Sequence, residues 1–249
     1  MILLKNISFS YPKSSINVLE NLNVTFEKGI ANILIGLNGA GKTTMFDILI
    51  GETKPLKGEI INFPILSEVL YHVQGAYISY LVTGKDYIKL VFTISGKKFI
   101  KEIDVLIEDM GLVNTREKDL LKGLWNKRIG QMSVGERRWL YITTLCQIKK
   151  KVYIFDEPTA GVDPSSRIII YKRLEELVEN NEATLIVSTH HLHELKNMRC
   201  KIILLHKGKL LFEGSYSQFI GQHNTINPDE AFDKFITSSY DGIVAANAK

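Results

Sequence analysis

Gly36-Leu37-Asn38-Gly39-Ala40-Gly41-Lys42-Thr43-Thr44 fills every fixed position of the phosphate-binding loop pattern G-x-x-x-x-G-K-[ST]. The stretch follows a strand-like apolar run, Ile33 to Ile35, and opens a helix-like one, Met45 to Ile50. That order aims backbone N–H groups at anionic oxygens from the positive end of a helix. Lys42 is expected to reach the β- and γ-phosphates of a nucleotide, and the Thr43 hydroxyl to complete the coordination of Mg²⁺. A glycine-rich turn before a helix explains the glycines, but not Gly-Lys-Thr at the helix start.

A second element lies far downstream, where the apolar run from Lys151 to Phe155 ends in Asp156 and Glu157. A buried strand of an open α/β sheet brings its C-terminal end to the edge where ligands bind. Asp156 is expected to hold Mg²⁺, directly or through water. Glu157 is placed to polarise the water that attacks the γ-phosphate. Standing alone, such a pair reads as a helix N-cap; the upstream loop favours catalysis.

With 249 residues and 45% hydrophobic content, the chain can bury a large core, as one α/β domain or a domain plus a subdomain. No stretch approaches the ~18 consecutive apolar residues of a membrane span. The start, Met1 to Asn6, lacks the pattern of a signal peptide, so a cytoplasmic chain is expected. A net charge of +4 from dispersed lysines and arginines gives no nucleic-acid footprint. Cys146 and Cys200 read as reduced, partly buried thiols.

Strand-like segments near Ile2 to Phe9, Leu22 to Phe26 and Ile33 to Ile35 precede the loop. Others, at Val152 to Phe155, Thr184 to Val187, Ile202 to Leu205 and Lys209 to Glu213, come much later. Between them, roughly Leu81 to Gln131 has helical periodicity, as in Asp104, Val105, Ile107, Glu108 and Leu112. That block has the size of an inserted helical subdomain. Gly51 to Gln74 is short, with one hairpin-like stretch.

These residues resemble the nucleotide-binding domains of ATP-binding cassette (ABC) transporters along nearly the whole chain. Phe9-Ser10-Tyr11-Pro12 looks like the aromatic loop, which implies that Tyr11 stacks on adenine; otherwise Tyr11 is a core-edge tyrosine before a turn. Gln74, before Leu81-Val82-Thr83-Gly84, is similar to the glutamine loop that senses Mg²⁺ and the transporter. Met132-Ser133-Val134-Gly135-Glu136 stands where the signature Leu-Ser-Gly-Gly-Gln is expected. Ser133 and Gly135 are kept, Val134 replaces the first glycine and Glu136 the glutamine. The resemblance implies that this segment contacts the γ-phosphate held by an opposite subunit. A plain capping box, Ser133 to Glu136, fits the same residues. Asp163 resembles the loop residue that crosses the dimer interface, and His190 the histidine switch on the γ-phosphate. The run His190 to Glu194 lacks the spacing of a zinc protease, and no zinc is expected.

The resemblance implies an α/β P-loop NTPase of ABC type: a mixed sheet core with an inserted helical subdomain and an N-terminal antiparallel β subdomain. It makes 1–249 a single domain, with the helical subdomain at about 81–140 and a C-terminal helix and tail at 228–249. It further implies Mg²⁺-dependent ATP hydrolysis driven by dimerisation with a second ABC ATPase subunit, identical or not. Separate transmembrane permease subunits would hold the chain at the inner face of the membrane. Pro228 to Ile236 looks like the helix after the last strand of export-type cassettes, which favours an exporter of a peptide, antibiotic or lipid. The stretch from Thr237 reads as a polar tail that frays. A regulatory, weakly hydrolysing cassette of an asymmetric pair and a soluble non-transport ABC ATPase are the alternatives.

Overall fold

The computed structural model describes residues 1–12, 16–75, 77–181 and 183–247. Its strands are β1 (Ile2–Phe9), β2 (Leu19–Phe26), β3 (Ala31–Ile35), β4 (Lys57–Ile61), β5 (Val69–His72), β6 (Val152–Asp156), β7 (Thr184–Ser188), β8 (Cys200–His206) and β9 (Lys209–Ser215). The helices are α1 (Lys42–Leu49), α2 (Gly84–Ser95), α3 (Ile103–Asp109), α4 (Thr115–Leu124), α5 (Val134–Leu145), α6 (Pro164–Asn181), α7 (Tyr216–Gly221) and α8 (Pro228–Asn247).

The chain divides into two compact units, Met1–Val73 with Lys150–Glu157 and Leu177–Lys249, and Gln74–Lys149 with Pro158–Glu176. Both sheets belong to the first. The smaller has the order β2-β1-β4, antiparallel throughout. The larger has the order β5-β6-β7-β3-β8-β9, parallel from β5 to β8, with β9 returning antiparallel. Every residue of β3, β6, β7 and β8 is buried, which is why these strands read as continuous apolar runs. Phe26, Phe46, Leu22 and Ile33 are fully buried, each worth about 2 kcal/mol of transfer free energy.

The second unit is helical. Thr83 caps α2 by accepting from the Asp86 N–H, and Asn114 caps α4 by accepting from the Arg116 N–H. Its interior holds an ion pair: Arg173 Nε and Nη2 donate to the Glu117 carboxylate at 2.7 and 2.6 Å. Trp139 Nε1 donates to the same carboxylate at 3.3 Å, tying α4, α5 and α6 together.

Two local expectations change. Gly51 to Gln74 contains no hairpin: β4 pairs with β1 in one sheet and β5 with β6 in the other. The exposed, charged β4 and the four-residue β5 carry too little alternation to read as strands. Helix α8 continues to Asn247, so the segment from Thr237 is helical as far as the description goes; Ala248 and Lys249 lie outside the described residues. Cys146 and Cys200 form no disulfide, and burial pushes the Cys146 thiol up to about 12.

Candidate nucleotide site

Parallel pairing brings three strand ends to one edge of the large sheet. Leu34 of β3 lies beside Ser188 of β7, and Ser188 beside Asp156 of β6. From β3 the chain enters the loop at Gly36. A Cβ there would run into the Leu205 carbonyl oxygen, and Gly41, at φ 103°, takes a conformation side chains resist. Leu37, Asn38 and Gly39 form the exposed tip, while Ala40 and Thr44 are buried. Lys42 folds over its own loop, its Nζ donating to the carbonyls of Gly36 (2.7 Å) and Leu37 (3.2 Å). Burial lowers the pKa of its ammonium, opposed by Glu157 and Asp156.

Thr43 Oγ1 donates to Asp156 Oδ2 at 3.5 Å. The other oxygen, Oδ1, accepts from Ser188 Oγ at 2.5 Å, and that hydroxyl in turn accepts the Glu157 N–H at 2.9 Å. Ser188 therefore locks both acidic residues, a role no motif marked; a hydroxyl at the buried end of β7 was its only signal. Glu157 is held at φ 49°, a backbone state costing about 1 kcal/mol that persists where surroundings over-determine it.

Glu157 Oε1 lies 2.9 Å from His190 Nε2, within ion-pairing distance when the imidazole is protonated. Burial pushes the Glu157 carboxyl up to about 7; Lys42 and the His190 N–H oppose it and Asp156 reinforces it. Burial, then the Lys42 charge, lowers the pKa of His190. Tyr11 sits at the flank, its hydroxyl 3.1 Å from Thr44 Oγ1 and its ring edge-on to Phe9 at 5.1 Å. It is 49% exposed, which leaves the ring open to a ligand.

The donors fit Mg²⁺. A hydroxyl and one carboxylate oxygen converge, the hard ligand set this ion takes alongside substrate phosphates. Among the described residues no three His, Cys, Asp or Glu side chains form a metal-binding group.

The helical unit holds the remaining candidates. At the start of α5, Ser133 Oγ accepts the Glu136 N–H at 3.1 Å and Glu136 Oε2 accepts the Ser133 N–H at 2.7 Å. Lys127 Nζ reaches both Glu136 oxygens, at 3.0 and 2.9 Å. Burial raises the pKa of Glu136, but Lys127 and Ser133 outweigh it and hold the carboxyl below its usual range. Val134 is 41% exposed. Gly135 packs on the next loop, where a Cβ would come 3.2 Å from Asp163 Oδ2. Asp163 caps α6, its Oδ1 accepting from Ser165 Oγ and the Ser166 N–H, which keeps its carboxyl well below the carboxylate range. Gln74 is exposed, two residues past β5.

Among the described residues no helix is long and apolar enough to cross a membrane. A family model described as ABC transporter matches residues 19–160. The chain is 29% identical over 96 residues to energy-coupling factor transporter ATP-binding protein EcfA2 of Clostridium tetani, covering 39% of this chain and 33% of that protein. It is 32% identical to Nod factor export ATP-binding protein I of a Rhizobium species, over 39% of this chain and 31% of that one. These alignments span about a third of the relatives' length. Among solved structures, an ATP-binding subunit of an ABC transporter shares the fold at TM-score 0.74 and 23% identity, covering 95% of this chain and 99% of that one. A dimeric ATP-binding cassette bound to ADP and phosphate shares it at TM-score 0.68 and 22% identity, covering 87% and 99%. With the family model spanning more than half of the sequence and the phosphate loop, acidic strand end and histidine on one sheet edge, the chain belongs to the ABC transporter family as an ATP-binding cassette.

Proposed function

We propose that this chain hydrolyses Mg²⁺-ATP as one half of a two-subunit sandwich that energises a membrane exporter. The observation that carries the reading is the convergence of Lys42, Thr43, Asp156, Glu157 and His190 at the ends of β3, β6 and β7. Lys42 exchanges its two carbonyl partners for the β- and γ-phosphates. Thr43 and Asp156 would hold Mg²⁺, which when bound would neutralise phosphate charge. Glu157 takes a proton from a water as its oxygen attacks the γ-phosphorus; ADP leaves and inorganic phosphate forms. His190 holds the γ-phosphate, and Tyr11 stacks on adenine.

The start of α5 in one subunit, Ser133 to Glu136, closes on the γ-phosphate held by the other, with Asp163 at the seam. Ser133 Oγ accepts one hydrogen bond and keeps its own proton to donate to phosphate. Permease subunits dock on the helical unit, where Tyr77, Tyr80, Arg137, Arg138 and Tyr141 line a groove, and hold the chain at the inner face of the membrane. The export direction draws on α8 and on the Nod factor export relative. A weakly hydrolysing, regulatory role is the second reading; exposed Val134 favours it.

The test is the dependence of ATPase rate on protein concentration. A two-site sandwich gives a rate rising more steeply than linearly until the dimer saturates. A specific activity constant from dilute to concentrated protein contradicts it.

A further inference from the structure

The signature of this chain places a carboxylate in the first turn of α5, the end that faces phosphate in the two-subunit reading on which this inference rests. A negative charge there is favoured by the helix dipole, but it cancels the positive potential which that end would otherwise offer to an approaching anion. Glu136 is nevertheless not an open charge. Both of its oxygens lie on Lys127 Nζ, at 3.0 and 2.9 Å, and one also accepts the Ser133 N–H. We infer that Lys127 is a positioning residue for ATP-driven association: it neutralises Glu136 and turns it back onto its own capping box, so that an acid-bearing signature meets phosphate without repelling it.

Lys127 is not a loosely placed surface lysine. Its N–H donates to the Leu124 carbonyl at 3.2 Å and its C=O accepts the Gly84 N–H at 3.1 Å. The adjacent Arg128 bridges to Thr83 in an antiparallel pair. The backbone is therefore fixed on both sides, and the side chain, about one-third exposed, spans from it to Glu136. An ordinary exposed ion pair contributes little to folding. Here the pair sits in the turn that supplies Ser133 and Gly135. Lys127 and Glu136 thus form a local pair: a lysine nine residues upstream neutralises the acid that stands where the family pattern has an amide.

The test is a double-mutant cycle in the full chain carrying Glu157→Gln, with the ATP-dependent dimer dissociation constant measured at low and at high salt. Lys127→Met should weaken association about tenfold or more when Glu136 is present. In the background carrying Glu136→Gln, the same change should cost less than about twofold. Lys127→Arg should retain most of the association, and the Lys127→Met effect should shrink at about 0.5 M salt, as screening requires. Melting temperature serves as the fold control and should move little. An equal effect of Lys127→Met in both backgrounds, or none in either, overturns the assignment alone. A reference chain that binds ATP yet stays monomeric overturns both the assignment and the two-subunit reading beneath it.

Discussion

Glu157 Oε1 and His190 Nε2 stand 2.9 Å apart at the ends of neighbouring strands, and burial disfavours the charged form of each. The carboxyl, pushed up to about 7 from an ordinary 4.5, holds its proton more tightly in the folded chain than in the unfolded one. Its contribution to stability is therefore present below about pH 4.5 and is lost as pH rises through about 7.

The consequence is a pH-dependent difference between two chains. Without nucleotide, the native chain should lose stability relative to Glu157→Gln between about pH 5 and pH 8, by on the order of 2 kcal/mol. Urea unfolding of both chains across that range checks it. Parallel curves contradict the raised pKa.

Tyr11 offers a half-exposed ring and a hydroxyl on Thr44, so its two parts can be separated. Tyr11→Ala should weaken ATP binding by about 1 to 2 kcal/mol through lost stacking, while Tyr11→Trp should be tolerated. Calorimetric titration distinguishes them. Unchanged affinity in Tyr11→Ala returns the residue to the core-edge role.

The two departures in the signature differ in kind. Glu136 is engaged by Lys127 and Ser133, whereas Val134 is exposed and its Cγ1 would lie 3.5 Å from a Cβ at Gly161. Val134→Gly should therefore tighten ATP-dependent dimerisation several-fold, and Glu136→Gln should change it less. Sedimentation of each variant in the Glu157→Gln background measures this; a larger response at Glu136 reverses the ranking.

Arg173 and Glu117 form a buried, bidentate pair joined by Trp139. Arg173→Met strands the carboxylate and should cost about 3 to 5 kcal/mol, a fall in Tm on the order of 10 °C. Adding Glu117→Leu should recover most of it. Calorimetric melting of the single and double variants decides, and an unshifted Arg173→Met denies the pair its structural role.

The sequence exposes those parts of the fold whose reasons are local. Gly36 to Thr44 carries its own strand, loop and helix context, and β6 and β7 read as apolar because both faces are buried. Long-range partners leave no such trace. Ser188 meets Asp156 across 32 residues and Arg173 meets Glu117 across 56, and nothing in either neighbourhood announces its partner. The edge strand β4 has charged, exposed positions in place of alternation. Lys127 belongs to no motif, so its pairing with Glu136 is legible only in the structure, where the bridge between Thr83 and Arg128 lies next to it.

The most direct measurement of the central claim is single-turnover ATP hydrolysis set beside ATP affinity for Glu157→Gln and Lys42→Ala. Glu157→Gln should bind ATP, nearly lose turnover and accumulate as an ATP-bound dimer, while Lys42→Ala should lose about 3 kcal/mol of binding itself. Hydrolysis at the native rate by Glu157→Gln contradicts it.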